Sequence, residues 1–330
     1  MIRRRALLAA TLLAPSAAGA HVFKSRTVRF TGAGGTPLAG TLVLPLRSEM
    51  QYVPGVVLVA GSGPTDRDGN NTLAPARSDL LLQIAERLAA AGIASLRYDK
   101  RGIAASGPPP TGLEPQEAFF SWKNFVADVQ AAHAELLTHD EIKPHATALL
   151  GHSEGGLLTL AAASAMTAPP HAVVLASMPG RTLREIIRDQ IGRSAPAFLP
   201  ETERAMTAIA ATGRVPAELA PELRRVFPAA AGSFFKEALA FDPAVALAGL
   251  GRACLLVHGG ADRQVVPLDD IQPLLDVLAR RRAPGEAFIA PAVSHNLKPV
   301  SGPDDNGFAG PLAPAIADKL VSWLGAALGA

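Results

Sequence analysis

Residues 146–160 read ATALLGHSEGGLLTL. Ala146 to Leu150 is a short, mostly apolar run, long enough for one buried strand. Gly155 to Ala165 is apolar on nearly every face, as a helix packed under a sheet must be. Between them Gly151-His152-Ser153-Glu154-Gly155 fits G-x-S-x-G. A strand that turns abruptly into a helix at this point would hold Ser153 in a strained conformation at the carboxyl edge of a sheet. The flanking glycines give room for that turn, and the helix N-terminus adds positive potential where an oxyanion would form. Two glycines around a serine are a weak signal alone. The strand before, the helix after and the single occurrence in the chain give it weight.

The rest of the chain supplies the sheet that such a turn needs. Thr27 to Phe30 and Leu38 to Leu44 read as a hairpin around Thr31-Gly32-Ala33-Gly34-Gly35-Thr36. Gly55 to Ala60 is a continuous apolar run suited to a central strand buried on both faces. The spacing of Leu80, Leu81, Ile84 and Leu88 predicts a helix over 79–91, with Ser78 as N-cap and Gly92 as its stop. A strand over 94–98 and a helix over 121–138 follow. His133 near that helix's apolar stripe reads as a packed or solvated side chain rather than a ligand. After the elbow come strands at 172–176, 253–257 and 286–290, one helix over 267–281 and a closing helix over 312–328. Strands alternating with helices predict a mostly parallel α/β sheet covered on both faces.

From Met178 to Ala248 the strand alternation stops, and helical segments separated by Gly and Pro take over. The chain therefore divides into a core of 21–177 and 249–330 and a helical cap insertion of 178–248. The cap carries eight arginines, one lysine and eight acidic residues, which selects no charged substrate. Its apolar faces pack on the core or line an acyl pocket.

The 330 residues are 48% hydrophobic and 18% charged, a composition that suits a packed globular protein and argues against disorder. A net charge of +2 gives no electrostatic case for nucleic acid. Cys254 is the only cysteine, which excludes an intrachain disulfide and a cysteine-based zinc cluster. At the N-terminus Arg3, Arg4 and Arg5 precede an apolar stretch, Ala6 to Ala14, too short to span a bilayer. Ala18-Gly19-Ala20 has the form of a signal-peptidase site. The expectation is a signal peptide over 1–20, cleaved to release an exported, periplasmic or secreted protein without a stable membrane anchor. Loss of the three arginines would take the net charge from +2 to −1. The paired arginines are equally compatible with a twin-arginine signal.

A serine nucleophile needs a base, and the base an orienting acid. On this architecture the chain order is serine, acid, histidine. Three histidines follow Ser153. His171 opens a strand at the edge opposite the elbow. His258 ends a strand but precedes its acid. His295, just after the last strand, is the expected base. Asp262, after the strand 253–257, is the expected acid. Asp242, Asp269, Asp270 and Asp276 compete, but the first ends the cap and the others belong to the helix after Pro267. The backbone N–H groups of Glu154 and Ser62 are the expected oxyanion hole, with Gly61 and Gly63 letting that backbone approach substrate. A phosphate-loop reading of Gly61-Ser62-Gly63 fails because no GK[ST] follows. Asp66, Arg67, Asp68, Asn70 and Asn71 are expected to bond within their loop rather than hold a metal or substrate. Asp99 and Arg101 are expected to brace the turn after their strand.

The segments GHSEGG, RYDKRG at Arg97 to Gly102 and HGGAD at His258 to Asp262 resemble the α/β-hydrolase superfamily. GSGPTDRDGN at Gly61 to Asn70 and SHNLK at Ser294 to Lys298 resemble a bacterial branch of serine esterases related to dienelactone hydrolases and peptidase-like hydrolases. The resemblance runs from about Gly55 to the C-terminus, with the cap only loosely matched. Ile103-Ala104-Ala105-Ser106 departs from the Gly-x-Gly-x-Ser form common in relatives. It implies an α/β-hydrolase fold and carboxylesterase chemistry on small, uncharged esters, with Ser153, His295 and Asp262 as triad and no cofactor or metal. A peptidase, thioesterase or acyltransferase would use the same triad. A non-catalytic binding protein on the same fold is the alternative of another class.

Overall fold

The computed structural model describes residues 23–46, 52–74, 76–302 and 304–330. The expected signal peptide over 1–20 lies outside them. Two strands, β1 (Phe23–Thr31) and β2 (Pro37–Pro45), form the hairpin, with Thr31 opposite Pro37. Then follow β3 (Val53–Val59), α1 (Leu80–Ala90), β4 (Ala94–Tyr98), α2 (Leu113–Phe119), α3 (Trp122–Leu136), β5 (Ile142–His152), α4 (Glu154–Ala165) and β6 (Ala172–Ala176). Five helices come next: α5 (Leu183–Ser194), α6 (Leu199–Thr212), α7 (Pro221–Val226), α8 (Gly232–Ala238) and α9 (Pro243–Gly249). The chain ends with β7 (Ala253–Gly259), α10 (Pro267–Asp270), α11 (Gln272–Arg280), β8 (Gly285–Ala290) and α12 (Pro314–Leu328).

The strands make one sheet in the order β1-β2-β4-β3-β5-β6-β7-β8. Pairing is antiparallel for β1–β2 and β2–β4 and parallel from β4 to β8. Successive residues of a strand face opposite sides, and both sides are covered. Val57, Leu96, Leu149, Val173 and Leu256 point toward α3, α4, α9 and α11 and join Val129, Leu158, Leu247 and Leu274. Val56, Leu58, Leu150, Val174 and Val257 point toward α1 and α12 and join Ile84, Leu88, Ile316 and Leu320. The parallel register brings the carboxyl ends of β3, β5, β7 and β8 to one edge. The loops after these four strands carry Ser62, Ser153, Asp262 and His295.

Helices α5 to α8 build a small core of their own around Ile187, Met206, Ile209, Leu223 and Phe227. Phe234 and Ala238 of α8 instead pack into the main core beside Trp122, which fixes this helical layer over α3. Among the described residues no helix is long and apolar enough to cross a membrane.

Three local expectations are corrected. Ser78 does not cap α1. The cap position is Asp79, left-handed at φ 48°, and its side chain makes no capping bond. The reason lies in the preceding loop, where Asn70 Oδ1 accepts from the Ser78 and Asp79 amides at 2.9 and 3.0 Å. The helix expected over 267–281 is two helices, α10 and α11, which meet at Ile271. Pro273 in the first turn of α11 lacks the N–H an unbroken helix would need. The segment 113–119 forms α2, which the proline-rich stretch before it gave no reason to expect.

The expected brace behind the site is present. Arg101, 1% exposed, donates to both Asp128 carboxylate oxygens at 2.7 Å and to the Phe119 carbonyl at 2.8 Å. Burial pushes the Asp128 carboxyl above its usual range, and Arg101 offsets that shift only in part. Asp99 accepts from Arg67 Nη2 at 2.6 Å and from the Ala105 amide at 3.0 Å, tying the loop after β3 to the turn after β4.

Candidate active site

Ser153 has φ 55° and ψ −124°, a region L-residues avoid at a cost of about 1–3 kcal/mol. The surroundings hold it there. Its amide donates to the Ala176 carbonyl at 2.8 Å, and its own carbonyl accepts from the Gly156 amide at 2.8 Å. The two glycines of the pattern are steric requirements. A Cβ on Gly151 would sit 2.1 Å from the Gly155 carbonyl oxygen, and one on Gly155 would sit 2.5 Å from those of Val59 and Ala60. The turn therefore closes only because the end of β5, the start of α4 and the end of β3 touch backbone to backbone.

His295 Nε2 lies 3.0 Å from Ser153 Oγ, and His295 Nδ1 lies 2.8 Å from Asp262 Oδ2. A carboxylate only accepts, so Nδ1 carries the proton and Nε2 is the acceptor facing the serine hydroxyl. Asp262 Oδ1 accepts from the Gln264 and Val265 amides at 2.8 and 2.9 Å. Burial alone would raise the Asp262 pKa. Hydrogen bonds from His258 and His295 outweigh it and hold the carboxyl well below the usual range, so it is an anion at neutral pH. Gly259 permits this approach, because a Cβ there would lie 2.3 Å from the Val293 and Ser294 carbonyl oxygens of the His295 loop.

The competing acids are elsewhere. Asp242 caps α9, accepting from the Ala244 amide at 2.9 Å. Asp270 accepts from the Val266 amide and is paired with Arg181. Asp276 accepts from Gln272 at 2.7 Å, and Asp269 is exposed. His171 stands beside His145 at the far end of β6.

Ser62 and Ser153 line one cavity of about 110 Å³ together with His152 and His295. A Cβ on Gly61 would lie 3.5 Å from Ser153 Cβ, so the loop after β3 crosses directly over the elbow. Among the described residues neither the Ser62 nor the Glu154 amide donates to a carbonyl. The other polar groups of that loop meet the expectation of internal bonding only in part, because Arg67 donates to Asp99 and Thr41 and Asp68 accepts from Arg97. Asp66 Oδ1 accepts from the Asp68 and Asn70 amides at 2.9 Å each, and Asn70 donates to Asp79 at 2.8 Å.

The family model described as serine aminopeptidase, S33, matches residues 76–297, more than half of the chain. The chain belongs to this family. Esterase EstD of Thermotoga maritima is similar to this chain, 29% identical over 233 residues, which is 70% of the chain and 52% of EstD. The chain thus spans about half the length of the curated relative it matches. Among solved structures, the α/β hydrolase GrgF from Penicillium sp. sh18 superimposes with a TM-score of 0.60 at 18% identity, over 93% of this chain and all of GrgF. The dienelactone hydrolase from Anabaena variabilis does so with a TM-score of 0.51 at 18% identity, over 92% of this chain and 97% of its own. These two likenesses show that the chain has the α/β-hydrolase fold.

Two residues around the elbow, Lys100 and His152, were not singled out from the sequence, and His258 was weighed there only as a base. His258 is fully buried, and its Nε2 lies 2.9 Å from the Val265 carbonyl and 3.2 Å from Asp262 Oδ2. Both are acceptors for the single Nε2–H, which bonds Val265 and lies near enough for Asp262 to share it. The i, i+4 spacing in HGGAD was the available signal. Lys100 Nζ donates to the Gly61 carbonyl at 3.1 Å and to Glu154 Oε1 at 2.8 Å. It thereby ties together the two stretches that carry the expected oxyanion donors. His152 Nε2 donates to the His295 carbonyl at 2.9 Å and steadies the loop of the base.

Burial and the nearby His295 push the His152 pKa down to about 3. Burial and His171 push that of His133, bonded to Thr147 at 3.0 Å, down to about 4. In the unfolded chain both return to about 6.5. Below pH 6.5 the unfolded state therefore binds protons that the folded state refuses, and stability is lost as the pH falls. The loss continues to pH 4 for His133 and pH 3 for His152, at up to about 1.4 kcal/mol per pH unit for each. The urea midpoint is expected to drop steeply between pH 6.5 and 4.5, and His133→Gln to flatten that slope. A midpoint that is level over this interval would contradict the buried, neutral assignment.

Proposed function

We propose that the protein hydrolyses carboxylic esters through an acyl-enzyme. The observation that carries this reading is the hydrogen-bonded line from Ser153 Oγ through His295 to the buried, ionised Asp262, set on a strained elbow. Ser153 Oγ attacks the ester carbonyl while His295 Nε2 takes its proton, and Asp262 stabilises the imidazolium. The amides of Ser62 and Glu154 receive the oxyanion. His295 then returns the proton to the departing alcohol. In the second half-reaction it deprotonates a water that attacks the acyl carbon, and the acid leaves with Ser153 restored.

A specific observation favours esters over the aminopeptidase substrates that the family description names. An aminopeptidase needs an anion to hold the substrate's free α-ammonium group. Among the described residues Glu154 is the one acidic residue lining the two cavities at the elbow, and Lys100 already pairs with it. The expected result is that the purified protein cleaves p-nitrophenyl acetate and butyrate with kcat/KM at least about 100-fold above that for free-amine aminoacyl p-nitroanilides. The reverse preference would give the site to peptides. Inertness toward both, together with no labelling by a fluorophosphonate, would support the non-catalytic binding protein.

A further inference from the structure

A cavity of about 500 Å³ adjoins the elbow, lined by Phe120 just after α2, by α3, α7 and α8, and by the turn after β4. It shares Ser62 and Asn71 with the smaller cavity that holds Ser153 and His295, and Ser62 and Glu154 form part of its wall. Its size falls within the range of small-molecule sites. We propose that it is an acyl subsite selective for aryl-bearing acyl groups; this rests on the esterase reading given above.

Two arguments lead there. The first concerns which part of an ester it takes. His295 must give its proton to the leaving oxygen, so the alcohol lies on the His295 side, in the smaller cavity. The oxyanion points at the Ser62 and Glu154 amides. The third substituent on the attacked carbon is the acyl chain, and the space left to it beside those two residues is the large cavity.

The second concerns what the chain should be. The protein is poor in aromatic residues, with twelve phenylalanines in 330 residues. Six of the twelve form one unbroken series of ring contacts here, with centroids 4.9 to 6.4 Å apart, from Phe119 through Phe120, Phe125, Phe234 and Phe235 to Phe227. Phe120, Phe125, Phe234 and Phe235 line the cavity, and three of these four are only half-buried, leaving ring surface for a ligand. An aryl group can add edge-to-face and offset contacts to such a wall, which an alkyl chain of equal length cannot. Of the three cations in the wall, Lys100 is paired with Glu154 and Arg101 with Asp128, so neither calls for an anionic acyl group, and Arg225 is exposed to solvent, which screens its charge.

The test compares p-nitrophenyl 3-phenylpropanoate with p-nitrophenyl heptanoate, in wild type and in Phe235→Leu and Phe120→Leu, each checked by thermal melting. The leaving group is common, so the ratio of kcat/KM reads the acyl subsite alone. A ratio of about 10 or more for the aryl ester is expected, falling several-fold in either variant. In parallel, binding of methyl 3-phenylpropanoate and methyl heptanoate to Ser153→Ala is measured by calorimetry, which needs no turnover. A ratio near 1 in wild type, with equal binding by Ser153→Ala, overturns the proposal. Tighter binding of the aryl ester by Ser153→Ala, with neither ester cleaved by wild type, would overturn the esterase reading and leave the aryl subsite standing.

Discussion

Ser153→Ala is expected to lower kcat/KM for p-nitrophenyl butyrate by at least about 10⁴-fold with almost no change in stability. The two halves of that expectation come from different features. Removing the nucleophile of a serine hydrolase leaves only the oxyanion donors and substrate binding, which by themselves retain a small part of the rate enhancement. The strain at φ 55° belongs to the backbone and is the same for alanine, so the substitution does not relax it. Among the described residues the side chain makes one hydrogen bond, the 3.0 Å contact to His295 Nε2, whose loss costs about 1 kcal/mol or less beside a cavity that admits water. The melting temperature of the variant should therefore stay within a few degrees of wild type. In wild type a fluorophosphonate should form one Ser153–O–P bond with loss of fluoride, and in the variant none. Hydrolysis persisting in Ser153→Ala at wild-type rates would assign the nucleophile elsewhere.

The parts of this site that could be read from the sequence are those where backbone meets backbone. Gly151 and Gly155 are fixed by approaches of 2.1 to 2.5 Å that no Cβ survives. Such constraints act over a few residues, so they leave a pattern. The order of Ser153, Asp262 and His295 was legible for a related reason. In a parallel sheet the residue just past a strand's carboxyl end reaches the common edge, whatever the helices between do. What escaped depends on long-range register. Asn70 reaches Ser78 and Asp79 across a loop and overrides the local capping rule that favoured Ser78. Lys100 sits in a motif that suggested only a turn, yet its ammonium spans Gly61 and Glu154, residues 39 and 54 positions away. His258 was set aside because its order in the chain was wrong for a base. Order says nothing about a histidine that acts on the acid instead.

That second histidine shapes what Asp262→Asn should do, which is to lower kcat/KM by about 10³- to 10⁴-fold and also destabilise the fold. Three N–H groups bond the Asp262 carboxylate, the Gln264 and Val265 amides at Oδ1 and His295 at Oδ2, and a fourth, the Nε2–H of His258 that bonds Val265, lies 3.2 Å from Oδ2. A carboxylate can accept all four, whereas an asparagine has one oxygen and an NH₂ group that accepts nothing. The backbone amides cannot change what they are, so the asparagine oxygen stays at Oδ1 and its NH₂ faces the two imidazoles. His295 answers by moving its proton from Nδ1 to Nε2, where it can no longer take the proton of Ser153, and the rate falls as it does when a triad aspartate becomes asparagine. His258 keeps its proton, because the Val265 carbonyl at 2.9 Å still needs it. One donor is therefore left against another in a fully buried place, which costs about 1–3 kcal/mol. The two expected results differ in kind: Ser153→Ala loses activity alone, whereas Asp262→Asn loses activity and several degrees of melting temperature. Steady-state kinetics on p-nitrophenyl butyrate and a thermal melt on the same preparations separate them. Activity within tenfold of wild type in Asp262→Asn would mean that another group orients His295. An unchanged melt would mean that His258 does not donate to the carboxylate.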